Sequence, residues 1–375
     1  MSLKEIFCQD NAIKLLTNAF GNQRLAHAYI FAGIEGVGKF KTACEFAKLL
    51  LCREAVVKNN LPDSCCKCQS CTDFEDGTHP DFLHIYKELL EFTEDGKDKK
   101  NPIDLSIDVI RDFVIKKVSI KPSLSARKVF VISEGERLNR ESQNALLKVL
   151  EEPPAYCTII LLCTRLENLL PTIKSRCQTI RFGPVSEEKI IEKLVCDGLD
   201  KQHSIFLARF CQGSIGNAVK LAELEKADAK ILEIKKELIE ALSNLQYQQA
   251  ITLSELFLKK AKEIAAVWSE VDEKTSKSDI NRRAARIIIH IVISALTDAM
   301  KLNVKAGSAM INFDQDRLIK KIAQFFSPQQ AGEKITESYR SIQQLDANVN
   351  EKLIFDRLLL KLAESDKIKS LYNND

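Results

Sequence analysis

The sequence predicts a doubly wound α/β domain followed by an all-helical remainder. Three observations carry that reading. A short apolar run, Ala28 to Ala32, ends at a glycine-rich loop, Gly33-Ile34-Glu35-Gly36-Val37-Gly38-Lys39, and helical spacing follows from Thr42 to Cys52. Two further continuous apolar runs, Lys128 to Ile132 and Thr158 to Leu162, have the pattern of strands buried on both faces of a parallel sheet. Beyond Gly183-Pro184 no convincing strand appears. A strand, a phosphate-type loop, a helix and repeated buried strands together define a doubly wound sheet.

The remaining elements follow from local signals. Arg140 to Glu152 reads as a helix, and Pro153-Pro154 stops it. Glu91 to Pro102 is a polar insertion, expected to be a solvated loop. Ser186 before Glu187-Glu188 marks a helix start, with acids at the positive end of the helix dipole. Gly213-Ser214-Ile215-Gly216 is a turn signal between helices, and from about Ala227 the chain reads as helical to near its end. Ile231, Ile234, Leu238, Leu242 and Leu245 are expected to share one apolar face, as are Leu353, Leu358, Leu359 and Leu362.

Length and composition bound the function. The 375 residues suffice for two or three domains, and a net charge of +3 argues neither for nor against nucleic-acid contact. The start of the chain lacks the apolar segment of a signal peptide. The run Ile287 to Ile293 is too short to span a bilayer. A cytoplasmic location without membrane contact is therefore expected. The 12 cysteines are then reduced, and a cluster among them points to a metal before a disulfide framework.

Cys65, Cys68 and Cys71 are tightly spaced, and Cys52 lies upstream at a predicted helix end. Four thiolates in tetrahedral array suit a structural zinc with no open position for water. Cys66 breaks the spacing and is read as a bystander. The alternative is a reduced cysteine-rich loop without metal.

The glycine loop departs from its own pattern. After Lys39 a phosphate loop needs Ser or Thr, whose hydroxyl ligates magnesium. Here the residue is Phe40. Thr42 does not substitute, since two residues along a helix is about 200° around its axis.

Together these pieces resemble the bacterial clamp-loader family of AAA+ proteins. Arg24 to Phe31 leads into the loop, and the cysteine cluster precedes Gly77-Thr78-His79-Pro80-Asp81. Asn144-Ala145-Leu146-Leu147-Lys148-Val149-Leu150-Glu151-Glu152-Pro153-Pro154 and Leu169-Leu170-Pro171-Thr172-Ile173-Lys174-Ser175-Arg176-Cys177-Gln178 follow. The similarity is strong to about residue 225. In the helical remainder it is weaker, with Ala347-Asn348-Val349-Asn350 the recognisable piece.

The resemblance implies an AAA+ core with a zinc module (about 52–71) over residues 1–182, a helical lid over 183–225 and a helical collar over 226–375. It also locates what is missing. The strand ending at Ile132 should be followed by Asp-Glu, and the chain has Ser133-Glu134; the lid should supply a sensor arginine after Gly216, and the chain has Asn217. Serine carries no charge to order a magnesium, so Glu134 survives as a base without a metal.

The expected function is a non-hydrolysing subunit of the DNA polymerase III clamp loader, which places the sliding clamp on primed DNA. Its partners would be gamma/tau-type and delta-type subunits in a hetero-oligomeric ring. In the family, the arginine of Ser175-Arg176-Cys177 acts in trans as a finger on a neighbour's ATP. Guanidinium suits that role because it is planar and always charged. Gly33, Gly36, Gly38 and Lys39 remain able to cradle phosphate, so retention of ATP or ADP stays open. Magnesium is not expected. The alternatives are a hydrolysing gamma/tau-type subunit and a zinc-dependent DNA-binding module. Thr164 at the polar sensor position, His27, His79, His290 and Cys177 are read as structural, and the Lys116-Lys117 pair equally as a solvated face or a DNA contact.

Overall fold

The computed structural model describes residues 3, 6–58, 61–94, 102–272 and 275–364. The chain divides into two compact units. One comprises Met1–Val185 with Ser214–Gly216, and the other Ser186–Gly213 with Asn217–Asp375.

The first unit is built on a parallel sheet. In chain order it runs α1 (Asp10–Gly21), β1 (Ala28–Ala32), α2 (Lys39–Leu51), β2 (Val56–Lys58), β3 (Leu61–Asp63), α3 (Gln69–Glu75) and β4 (Phe82–Ile85). A helical stretch over residues 107–118 follows. Its middle, Arg111–Ile115, is a π-turn between α4 (Ile107–Ile110) and α5 (Lys116–Val118). Then come β5 (Lys128–Ile132), α6 (Arg140–Glu151), β6 (Cys157–Cys163), α7 (Pro171–Arg176) and β7 (Gln178–Arg181). The sheet order is β4-β5-β6-β1-β7, every pairing parallel.

Alternation along the central strands explains why helices cover both faces. Ala28, Ile30, Phe130, Ile132, Ile159 and Leu161 point to one side, against Val109, Val114, Leu146 and Leu150. Tyr29, Phe31, Val129, Val131, Ile160 and Leu162 point to the other, against Ile13, Leu16, Phe46 and Leu50. A strand buried on both faces reads as an unbroken apolar run. The predicted strands β1, β5 and β6 are all present, each within a residue of its expected ends. Among the described residues no strand follows Gly183, as expected.

The second unit is helical: α8 (Glu187–Cys196), α9 (Lys201–Phe210), α10 (Ile215–Lys226, its first two residues counted with the first unit), α11 (Ile231–Ser243), α12 (Ala250–Val271), α13 (Lys277–Asn303), α14 (Asp316–Phe325), α15 (Pro328–Asp346) and α16 (Glu351–Ala363). Helix α13 is apolar around much of its circumference, with Ile288, Ile289, Ile291 and Val292 fully buried, so it forms the centre of this bundle. His290 lies on it beside the rings of Phe210 and Tyr339, each 6.4 Å away. Burial lowers its pKa to about 4, aided by Arg286. It is a core histidine, as expected.

Three expectations need correction. Ile215 and Gly216 belong to the first turn of α10, so the connection from α9 is Cys211 to Ser214. Leu353 is 62% exposed while Leu358, Leu359 and Leu362 are buried; five residues is about 140° around a helix, which takes Leu353 off that face. Leu245 lies past Ser243, where α11 ends, and so is not on the helical face it was expected to share. Ser186 stands at the N-cap of α8, as expected, though its side chain accepts no capping hydrogen bond. Of the polar insertion at 91–102, residues 95–101 lie outside the described residues.

Candidate functional site

The phosphate loop forms where β1 meets α2. Gly38 caps α2 with φ +99°, a left-handed conformation that glycine adopts without strain. Gly33 has a different reason to be glycine: a Cβ there would lie 2.5 Å from the carbonyl oxygen of Phe182. The loop is held by its surroundings. The Gly33 amide donates to the Cys163 carbonyl at 3.1 Å, and Gln9 Nε2 donates to the carbonyls of Val37 (3.2 Å) and Gly183 (2.9 Å). The Gly216 amide donates to the Gly36 carbonyl at 2.7 Å.

Lys39, the residue that would meet phosphate, is turned onto the loop itself. Its ammonium donates to the carbonyls of Gly33 at 2.5 Å and Ile34 at 2.7 Å. Only 8% of the residue is exposed. Burial lowers its pKa, and the carboxylates of Glu136 and Glu35 oppose the shift. The Thr42 hydroxyl is fully buried and donates to the Gly38 carbonyl at 2.9 Å. It is committed to its own helix, as the helical geometry requires.

The two positions that depart from the magnesium pattern meet through a third residue. The Phe40 ring packs on His84 of β4, with centroids 4.7 Å apart. His84 Nε2 and the Ser133 Oγ are hydrogen-bonded at 2.8 Å. Tyr86 lies on the other side of this histidine, 5.0 Å away. Burial lowers the His84 pKa to about 4, so the ring is neutral at physiological pH. An aromatic ring, an imidazole and a hydroxyl therefore stand together where the pattern calls for a hydroxyl and a carboxylate on a metal. His84 escapes a sequence reading because β4 is a four-residue edge strand, Phe-Leu-His-Ile, with no clean apolar run.

The surviving base is engaged as well. Glu134 has φ +52° and sits 3.4 Å from Arg137 and 3.7 Å from Lys87. Burial raises its pKa, with those two cations opposing. Glu136, which sequence reasoning missed, accepts from both the hydroxyl and, at 3.1 Å, the amide of Thr164. The sensor-position threonine is thus paired with a carboxylate.

The four expected zinc ligands converge. The Sγ atoms of Cys52, Cys65, Cys68 and Cys71 all lie within 4.8 Å of one another. Three of the separations are 3.6, 4.0 and 3.9 Å. A tetrahedral Zn–S site with bonds of about 2.3 Å has edges of about 3.8 Å, so the donor set fits zinc. The amides of Cys65 and Cys68 donate to the Sγ atoms of Cys52 and Cys65, both at 3.3 Å. Cys66 is exposed with φ +57° and stands outside the group, its Sγ 3.4 Å from the Ser64 hydroxyl.

His79 and Asp81 tie this module to the core. The Asp81 amide donates to His79 Nδ1 (3.0 Å), which leaves Nε2 to donate to Ser70 Oγ (2.8 Å). Ser70 and Ser125 both donate to the Leu51 carbonyl, at 2.7 and 2.8 Å. The fully buried Asp81 carboxylate accepts the amides of Ser123, Leu124 and Ser125. His79 is structural, as expected.

Arg176 is the last residue of α7. Its Nη2 lies 2.9 Å from Glu151 Oε1 at the end of α6, and its Nη1 donates to the Thr172 carbonyl at 3.2 Å. Asn217 lies in the first turn of α10, in the second unit, and its amide brings no charge. Lys116 is exposed and paired with Asp112 at 2.7 Å, a solvated face. No helix among the described residues is long and apolar enough to cross a membrane.

Comparison with known proteins adds the following. A family model described as DNA polymerase III, delta subunit, matches residues 8–186, and one described as DNA polymerase III, delta subunit, C terminal, matches residues 278–364. The chain is 25% identical over 357 residues to the DNA polymerase III subunit delta' of Bacillus subtilis, covering 95% of this chain and 96% of that protein. It is 32% identical over 228 residues to the subunit gamma of Buchnera aphidicola from Schizaphis graminum, covering 59% of this chain and 58% of that protein. The subunit tau of B. subtilis is 32% identical over 191 residues, and the match spans 31% of it. A solved gamma subunit-related protein of Thermotoga maritima aligns over 93% of this chain at 18% identity, with a TM-score of 0.45.

Proposed function

The chain belongs to the AAA+ clamp-loader subunits of DNA polymerase III, and from that premise we propose that it is a delta prime-type subunit that does not hydrolyse ATP itself. The observation that carries this reading is the Phe40–His84–Ser133 cluster. Phosphoryl transfer at a phosphate loop needs a metal bridging the β- and γ-phosphates, held by a hydroxyl and a carboxylate. Here the loop offers a ring, the strand offers a hydroxyl already bonded to a neutral imidazole, and the lid position offers Asn217. Lys39 donates to two carbonyls of its own loop. Among the described residues, the loop and the strand end do not offer magnesium the hydroxyl and carboxylate of the pattern.

In this reading the subunit serves a neighbour. Arg176 ends a short helix at the surface, and we assign it the role of an arginine finger on ATP bound by an adjacent gamma/tau-type subunit. A finger contributes about 10³–10⁵ in rate in nucleotide hydrolases. The protein would work in a hetero-oligomeric ring with gamma/tau-type and delta-type subunits in the cytoplasm. The ring would load the sliding clamp on primed DNA. The core over residues 1–182 would carry the finger, the helices over 183–225 would form the lid, and those over 226–375 the collar that joins the ring. Zinc held by Cys52, Cys65, Cys68 and Cys71 would be structural, since all four positions are thiolates.

Reconstitution tests this. The chain is combined with gamma/tau-type and delta-type subunits, and ATPase and clamp loading on primed DNA are measured. Arg176→Ala should reduce both at least about tenfold. Magnesium-dependent hydrolysis by the isolated chain, abolished by Lys39→Ala, would overturn the proposal. Tight DNA binding by the isolated chain that vanishes with the metal would favour a zinc-dependent DNA-binding module instead.

A further inference from the structure

Arg176 is not presented to solvent as an open hook. One guanidinium nitrogen is on the Glu151 carboxylate at 2.9 Å and another is on the Thr172 carbonyl at 3.2 Å. Thr172 is one turn back on the same helix, so the side chain is folded along α7. The two helices meet here by their C-terminal ends. That makes the position of Glu151 informative. A carboxylate in the last turn of a helix lies at the negative end of the dipole and is mildly unfavourable there, whereas an arginine is favoured. With Glu152 beside it and Pro153 closing the helix, α6 places acid where its own dipole opposes acid.

We propose that Glu151 is a latch for Arg176: it holds the guanidinium folded back until a more highly charged phosphate on a neighbouring subunit displaces it. This rests on the reading of Arg176 as a finger. The physical case is a competition. Both side chains are partly exposed, 36% for Arg176 and 51% for Glu151, so water screens the pair and it is weak. A nucleotide phosphate brings several negative oxygens in the fork geometry that guanidinium matches, and it wins the arginine from a single carboxylate. The carboxylate left behind then faces the same phosphate and repels it, so the latch also opposes insertion. Glu151 is thus a positioning residue acting through Arg176, and its removal makes the finger quicker to engage.

The test uses the full chain in the reconstituted assembly, with kcat and KM for ATP measured for wild type, Glu151→Gln, Arg176→Ala and the double variant. Glu151→Gln should raise kcat about two- to fivefold, the range that breaking one exposed ion pair allows, with KM within about twofold of wild type. The double variant should match Arg176→Ala. Sedimentation and a thermal melt confirm that each variant folds and assembles. If Arg176→Ala leaves the rate unchanged, the finger reading fails and the latch fails with it. If Arg176→Ala is slow but Glu151→Gln is unchanged or slower than wild type, the finger stands and the latch is wrong. A gain from Glu151→Gln that persists in the Arg176→Ala background also overturns the latch.

Discussion

Adding a charge beside His84 tests the packed magnesium position directly. The ring lies between Phe40 and Tyr86, at 4.7 and 5.0 Å, with Nε2 on the Ser133 hydroxyl. Burial takes its pKa from the ordinary 6.5 to about 4. That difference corresponds to about 3 kcal/mol favouring the neutral ring in the folded protein. The sign follows from linkage. The unfolded chain binds this proton first, so the His84 contribution is whole above pH 6.5, declines as the pH falls, and is lost below about pH 4. Ser133→Asp places a carboxylate next to Nε2. An opposite charge within hydrogen-bond reach raises an imidazole pKa, here to between about 5 and 7. The assay is an NMR titration of the full chain with labelled histidine rings, His84→Phe assigning the resonance. His290, also near 4 but in the second unit, is the internal control and should not move. A wild-type His84 midpoint near 6.5, or a Ser133→Asp midpoint unchanged from wild type, would refute the account of a packed, neutral imidazole in the metal position.

Other outcomes are equally concrete. Metal analysis of the purified chain should find one zinc, and Cys68→Ser or a strong chelator should remove it and lower the melting temperature, because a structural zinc contributes folding energy. Asp81→Ala should destabilise the protein by about 3 kcal/mol in denaturant unfolding, since three backbone amides lose the buried carboxylate that accepts them. The Asp81 pKa is lowered: burial pushes it up, but the amides of Ser125, Ser123 and Leu124 outweigh that. Its contribution is therefore present above its usual range and lost as the pH falls through the lowered value. Lys235 is fully buried against Asp314 and the Phe206 ring. Replacing the pair together, Lys235→Met with Asp314→Leu, should leave the melting temperature unchanged or raise it, while Asp314→Ala alone, which strands the buried ammonium, should cost about 3–5 kcal/mol.

How much of this was legible in the sequence depended on burial. The central strands β1, β5 and β6 are covered on both faces, and a continuous apolar run is the signature of that environment. The edge strands β4 and β7 were not legible. In β7 only Ile180 is buried, so Gln178-Thr179-Ile180-Arg181 carries no periodic signal. The same limit governed the site. Phe40, Ser133 and the four zinc cysteines occupy positions defined by a motif, and each could be found by its departure from the motif or its fit to it. His84, Glu136 and Glu151 act through contacts across 25 to 49 residues of chain. Sequence spacing does not encode such contacts.

The Phe40–His84–Ser133 cluster also has a meaning for descent. Consider the steps by which such a chain could regain a working magnesium site. Phe40→Thr alone restores a hydroxyl but removes the ring that lies on His84. Ser133→Asp alone restores a carboxylate but aims it at an imidazole rather than at a metal. On the proposed reading each single change restores only one of the two metal ligands and disturbs a contact of His84. If the proposed reading holds, the cluster would act as a ratchet, since two changes must coincide before either is of use to a metal.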